Sequence, residues 1–425
     1  MLRRDRDFRL LWSGETVNRF GSAVSGVAIP LIAISELDAS TFEVGLLTAA
    51  AWAPWLVIGL PVGAWIDRRH RRPLMLGSSL VSLLLLSAVP VAAFAGLLTI
   101  QLLLAVALLT GAASVVFQTA YTAYLPALLD PADHAEGNAK LHGSASAAQI
   151  AGLGCGGLIA QFAGATNALF VDAATFALAV CCLAAIRFRE SRTATARRAG
   201  AIREGVRLVA QDVWLRTLTI FGATSNLALM GYQAIIVVFL VRTVGLTPGT
   251  VGILVAAGAS GGVAGAFVGR RLAARFGNAR ALLLCELGLP TLALLIPLAH
   301  LNPALYVIGA FGVGAGVVGG NVVKSTFLQT YCPPDLLGRL TATTSFVNYG
   351  TIPLGALLGG ALASLLGTEA ALWITTAGVP LAASVLYFSP IRHRRDLPTD
   401  QGVSLAPRRS EQVLGAVHRC AGAKG

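Results

Sequence analysis

The sequence predicts an all-α integral membrane protein: about twelve transmembrane helices set as two parallel six-helix repeats. Three observations predict it: apolar stretches long enough to cross a bilayer, basic clusters that alternate with them, and a match between the two halves at an offset of 203 residues. Of 425 residues, 55% are hydrophobic and 12% charged, and the mean hydropathy is +0.72. A soluble domain carries about 25% charged residues, so water is not the main solvent of this chain. Lipid offers no hydrogen bonds, which leaves helices or a closed barrel. The apolar stretches lack the period-two alternation of barrel strands, and about 20 helical residues cross the hydrocarbon core.

In order, the predicted spans are 12–36, 44–66, 73–97, 100–125, 139–162 and 167–186, then 215–241, 250–268, 281–300, 303–327, 341–366 and 370–388. Pro126 ends the fourth span, and Pro333 and Pro334 end the tenth, because proline lacks the amide that continues a helix. The first apolar stretch is full length and follows Arg3, Arg4, Asp5, Arg6 and Asp7, so it is expected to remain as a span. The six cysteines show no metal-ligand spacing and read as free thiols.

The net charge of +12 is placed by topology. Basic clusters lie at 3–9, 68–72, 187–216, 270–280 and 392–424, at one end of alternate spans, while only Arg242 is basic among the opposite loops. The positive-inside rule then puts both termini in the cytoplasm. Such placement excludes the nucleic-acid partner that a basic chain otherwise suggests. The expected divisions are 1–186, a basic linker 187–214, 215–390, and a disordered basic tail 391–425. Within the linker region, Val206, Val209, Val213 and Leu218 share a helical face, which predicts an amphipathic helix on the cytoplasmic surface.

The halves match in order: Pro131 with Pro334, Gly152 with Gly355, Gly156 and Gly157 with Gly359 and Gly360, Gly164 with Gly367. Parallel repeats of this kind place a substrate cavity between the halves near the midplane. Small residues at these positions also let helices approach closely.

After the second span the chain reads Gly63, Ala64, Trp65, Ile66, Asp67, Arg68, Arg69, His70, Arg71, Arg72. This Gly-x-x-x-Asp-Arg-x-x-Arg-Arg run resembles the signature loop of the major facilitator superfamily, with His70 in place of a second glycine. The resemblance implies a cytoplasmic gate at Gly63, Asp67, Arg68, Arg71 and Arg72, in which the aspartate accepts hydrogen bonds across a drying interface. The corresponding loop of the second half keeps Gly265, Arg270 and Arg271 but has Gly269 where the aspartate would be. Segments 8–21, 59–72, 125–138, 151–157 and 170–176 are similar to the branch of bacterial exporters that includes macrolide-efflux and enterobactin-export proteins. Residues 151–157 also resemble a glycine-rich antiporter motif, with Leu153 at a usual proline.

Ionisable groups at membrane depth mark partners or pathways. Glu15 and Arg19 stand four apart on one helical face and can neutralise each other. Asp172, early in the sixth span, reads first as a capping or packing group and second as a proton carrier. Glu286 is a candidate buried acid, and Lys324 a lysine that snorkels to the cytoplasmic surface. The resemblance puts the first, fourth, seventh and tenth helices around a cavity, and with them Asn18, Gln118, Tyr121, Asn226, Tyr232, Gln233 and Asn321, beside Trp52 and Trp55 of the second. Few fixed charges with amides and aromatics suit a bulky, partly apolar ligand.

No phosphate-binding loop, metal-ligand cluster or Gly-x-Ser-x-Gly elbow is present in the sequence, so no cofactor and no enzyme activity are expected. The expected function is proton-coupled export of hydrophobic or amphipathic small molecules, of drug, macrolide or siderophore type, by a monomer in a bacterial-type cytoplasmic membrane. Its partners are a small-molecule substrate, protons and lipid. Rival readings are an importer of the same fold, a membrane-embedded enzyme, and a receptor that binds without transport.

Overall fold

The computed structural model describes residues 5–66, 68–130, 133–188 and 201–398. The first half comprises α1 (Arg6–Ser35), α2 (Thr41–Ile66), α3 (Arg71–Phe94), α4 (Ile100–Leu128), α5 (His134–Ala163) and α6 (Ala165–Ala185). After a short α7 (Ala201–Gln211) come α8 (Val213–Val238), α9 (Pro248–Phe276), α10 (Asn278–Leu283), α11 (Pro303–Tyr331), α12 (Pro334–Leu366), α13 (Thr368–Ala382) and α14 (Ser384–Tyr387). Among the described residues, eleven helical stretches are long and apolar enough to cross a membrane. The fifth, α5, matches them in length at 30 residues but begins with His134, Glu136, Lys140 and His142. It packs against α1 of its own half and α9 of the other.

Several helix ends differ from expectation. Helix α4 runs through Pro126 to Leu128, and α11 reaches Tyr331. The His134 ring serves the exposed carbonyls at the end of α4, its Nε2 lying 3.3 Å from Pro126 O and 3.1 Å from Leu129 O. The amphipathic segment is also shorter than expected. Asp212 accepts from Trp214 N and Leu215 N at 2.9 Å, so a cap stands between Val209 and Val213, and Val213 and Leu218 belong to α8. What remains, α7, packs its apolar face on protein: Leu208 and Val209 are buried, and Gly205 sits against the Arg339 carbonyl of α12.

Nor is the tail disordered from its start. Ile391 and Leu397 are buried, Ala279 N donates to Arg395 O at 3.1 Å, and Asn278 N donates to Asp396 Oδ1 at 2.9 Å. Residues 399–425 lie outside the described residues.

Equivalent glycines of the two halves make equivalent contacts. Gly152 and Gly156 lie against the α1 backbone at Phe20 and Val24, while Gly355 and Gly359 lie against the α8 backbone at Leu227 and Gly231. The next residue in each pair faces the other half. A Cβ on Gly157 would stand 2.6 Å from Gly252 Cα of α9, and one on Gly360 3.3 Å from Gly45 Cα of α2. These cross-half contacts sit at the end of the bundle away from the arginine-rich loops. At the same end Gln161 Oε1 accepts from Thr247 Oγ1 (3.2 Å) and Gly249 N (3.0 Å), and Arg242 pairs with Asp38 at 3.0 Å. Toward the arginine-rich end, a Cβ on Gly143 or Gly338 would meet nothing within 4 Å.

The ninth predicted span is irregular. Helix α10 passes into a π turn (Leu284–Gly288) and then into 3-10 segments (Leu289–Leu295, Pro297–His300), where Pro290 and Pro297 withhold the amides that an α-helix needs. The π turn carries Glu286, whose Oε1 lies 2.7 Å from Lys324 Nζ of α11; that ammonium also stands 4.9 Å from the Phe221 ring centroid. Lys324 therefore does not snorkel: it is a counter-charge. Removing one partner of a buried pair leaves the other uncompensated, so Glu286→Gln should cost about 3 kcal/mol of stability. Thermal unfolding in detergent should show the loss, and Glu286→Gln with Lys324→Gln should recover most of it. A single variant as stable as the parent would show that the pair holds nothing.

Candidate functional site

Two cavities open in the middle of the bundle, and Gly26 of α1 lines both. The larger, of about 480 Å³, lies inside the first half between α1, α2, α3, α4 and α6. The cavity expected between the halves is the smaller of the two, lined by α1 and α5 of one half and α8, α9 and α11 of the other, while the larger lies within the first half. Of the sequence candidates it collects Glu15, Asn18, Arg19, Trp52, Trp55, Gln118 and Asp172. The i, i+4 spacing on α1 does what it predicts: Arg19 Nε donates to Glu15 Oε1 at 2.7 Å, and Nη2 reaches Gln118 Oε1 of α4 at 3.2 Å. The tryptophans of α2 face Tyr349 of α12, with ring centroids 6.1 Å (Trp52) and 5.0 Å (Trp55) away, so this aromatic wall joins the halves at mid-height.

Asp172 is not a cap. It is the eighth residue of α6, two turns inside the helix, and its carboxylate is held by hydroxyls. Ser25 Oγ of α1 donates to Oδ2, and Thr175 Oγ1 lies 3.2 Å from Oδ1. Sequence reasoning missed the serines around it: Ser22, Ser25, Ser78, Ser79 and Ser82 also line the cavity. On α3 the signal was available, since Ser78, Ser79 and Ser82 are related by i, i+3 and i+4 and so share a face. Glu15 Oε2, Asn18 Oδ1 and Ser79 Oγ are buried without a hydrogen-bond partner among the described residues.

The second cavity, of about 340 Å³, is bounded by α1, α5, α8, α9 and α11 and takes in Tyr232, Gln233 and Gln149. Three candidates line neither cavity. Tyr121 is buried with its ring 6.0 Å from that of Phe117, Asn226 Nδ2 donates to Asn348 O at 3.3 Å, and Asn321 is exposed on α11. Glu286 also lies apart from both, in its pair with Lys324.

In the loop after α2, Gly63 is buried and Arg68 exposed, while Asp67 lies outside the described residues. Arg71 Nη1 donates to Ala123 O at 3.1 Å; Arg72 donates to Leu183 O (Nε, 3.0 Å) and Ala184 O (Nη2, 2.7 Å). These described bonds tie α3 to the last two turns of α4 and to the final carbonyls of α6, within one half, where cations also complement the helix dipole. Among the described residues no group of His, Cys, Asp and Glu could hold a metal ion.

Comparison with known proteins agrees with this architecture. Residues 11–350 and 218–418 match the Major Facilitator Superfamily. The chain is 26% identical to the multidrug efflux pump Tap of Mycolicibacterium fortuitum over 89% of this chain and 94% of that protein. It is 20% identical to the macrolide efflux protein A of Streptococcus pyogenes, covering 92% and 97%. Among solved structures, a point mutant of the nucleoside transporter NupG superposes with a TM-score of 0.75 at 12% identity, covering 90% of this chain and 99% of that one. With a helical membrane fold, paired halves and a central cavity, the chain belongs to the major facilitator superfamily and is a transporter, not an enzyme.

Proposed function

We propose that this transporter exports hydrophobic or amphipathic small molecules of drug or macrolide type from a bacterial cytoplasmic membrane, as a monomer, by alternating access driven by proton entry. The observation that carries this reading is the one-sided closure of the halves. Gly157 on Gly252 and Gly45 on Gly360 shut one end, while small residues at the other end have no neighbour across the gap. The positive-inside rule puts the arginine-rich end in the cytoplasm, which makes this conformation closed outward and open inward. A substrate would enter from the cytoplasm or inner leaflet, settle against Trp52 and Trp55, and leave after the halves rock. The efflux activity in the names of the two relatives supports the direction. An apolar, aromatic wall with a few polar groups suits an amphipathic organic molecule, and the roughly 300–1,000 Å³ range of small-molecule sites includes the larger cavity.

Two measurements test this. Cells expressing the protein should accumulate several-fold less erythromycin, tetracycline or ethidium than cells without it, and an uncoupler should erase the difference; equal accumulation of all three would remove the export reading. The second concerns the closed end. Leucine at Gly157 overlaps the Gly252 backbone and destabilises outward closure. A shift of about 1.4 kcal/mol between the states changes their ratio about tenfold, so export should fall by that order. A cysteine at Thr250 should then label faster from outside, whereas unchanged labelling would show that this contact does not hold the outer end shut.

A further inference from the structure

Among the described residues three carboxylates are buried: Glu15 (7% exposed), Asp172 (1%) and Glu286 (3%). Glu15 has Arg19, and Glu286 has Lys324, each at 2.7 Å. Asp172 is held only by hydroxyls. A proton on Glu286 would leave the largely buried Lys324 ammonium without its counter-charge, and one on Glu15 would take the charge from its 2.7 Å bond to Arg19, a cavity-facing guanidinium that solvent also reaches; both oppose binding, the first more strongly. A proton on Asp172 leaves no other charge behind. From this sorting we infer that Asp172 takes up and gives up the coupling proton, and that Ser25 of α1 is the group that responds to its charge. The inference rests on the proton-driven export reading and names the residue that would perform it.

The surroundings fit that role. Asp172 lines the larger cavity, whose wall offers three buried polar atoms without protein partners, Glu15 Oε2, Asn18 Oδ1 and Ser79 Oγ, to hydrate a path to it. On α1 the charged groups of the cavity are Glu15 and Arg19, already joined, with Arg6, Asp7 and Arg9 at the helix start. Helix α3 contributes serines, its Arg71 and Arg72 standing at its first turn. Helix α5 keeps His134, Glu136, Lys140 and His142 in its opening turns, at the arginine-rich end. On α6 itself the other titratable groups are Cys181 and Cys182, at least nine residues further on, which is about 13 Å along a helix.

The chemistry of the change is simple. A hydronium ion entering by the cavity supplies the proton: one O–H bond breaks in the hydronium, one forms at a carboxylate oxygen, water is left behind, and the protonated oxygen now carries a donor where it had offered only acceptor sites. Thr175 keeps a second acceptor, since its Oγ1 also donates to the Asp172 backbone carbonyl at 2.7 Å. For Ser25 the described acceptor is the carboxylate alone. The bond between α1 and α6 is therefore the one that depends on charge. Gly21 makes it possible: a Cβ there would stand 2.5 Å from Asp172 Oδ1, so only glycine lets the carboxylate lie on the α1 backbone. One residue past Ser25, Gly26 forms the wall shared by both cavities, which carries the change in α1 to the substrate space.

The full-length protein in liposomes provides the test, with ethidium as probe. Infrared difference spectra across a pH titration should show a buried carboxyl band that is absent in Asp172→Asn and retained when Glu286 and Lys324 are both glutamine. Under an imposed pH gradient, Asp172→Asn should lower ethidium export about tenfold or more, the loss of roughly 1.4 kcal/mol of coupling, while exchange without a gradient stays within about twofold. Ser25→Ala, which keeps the carboxylate, should reproduce the loss, and Ser25→Thr, which keeps the hydroxyl, should restore export. Parent protein that ignores the gradient overturns the export reading together with this inference. A coupled parent whose Asp172→Asn form is equally coupled, or still shows the band, overturns this inference alone.

Discussion

Helices in lipid have little hydrophobic reason to associate, because the solvent is as apolar as their side chains; close backbone approach has to hold them together. In this transporter that approach is made by glycine pairs whose neighbours in sequence serve different partners. Gly156 fastens α5 to α1 within one half, and Gly157, about 100° further round the helix, meets Gly252 of the other. Gly359 and Gly360 repeat the arrangement on α12. A helix that uses one row of glycines for its own half and the adjacent row for the other keeps the two contacts on separate faces, so that one can part while the other holds. The alternating access proposed above would part the second kind of contact and keep the first.

Much of the fold was legible because bilayer thickness and hydrogen-bond saturation restrict the choice so strongly. Predicted and observed spans overlap one for one, but ends differ by up to eight residues, as where α9 runs on to Phe276 and α12 begins at Pro334. A proline near a helix end removes the amide that would serve the carbonyl four residues back without stopping the helix, and α4 continues to Leu128, where the His134 ring stands at the terminal carbonyls of Pro126 and Leu129. An amphipathic pattern gives a helix a buried face but not the identity of what buries it; α7 uses α12 where lipid was expected. The tail was read as disordered from its composition, yet Ile391 and Leu397 find a groove that no local pattern announces.

The site was legible in part. Charged residues and tryptophans stand out in an apolar chain, and those of the first half do converge. Serine is a weaker signal, because a hydroxyl can satisfy itself on the carbonyl four residues back in its own helix, as many here do. Which serines turn to a carboxylate depends on tertiary contact, and Ser25 turns to Asp172 across 147 residues of sequence. The placement of Tyr121, Asn226 and Asn321 depended on helix rotation, which a family arrangement of helices leaves open.

A symmetric scaffold here carries one-sided chemistry. The second half has lost the aspartate of its loop to Gly269, neutralises its buried acid with Lys324, and relaxes its ninth span into π and 3-10 turns around two prolines. The first two of these features leave fewer groups whose charge can vary. The first half keeps a carboxylate without a counter-charge, a serine face and the larger cavity. If both halves held such a group, each would bias the rocking equilibrium independently, and a substrate would have to overcome two charge states to move once. Under the proposed proton coupling, the variable charge sits in one half, on α6 and against α1, the helix that lines both cavities, so that a single protonation event would act through α1 while the other half keeps its charges paired.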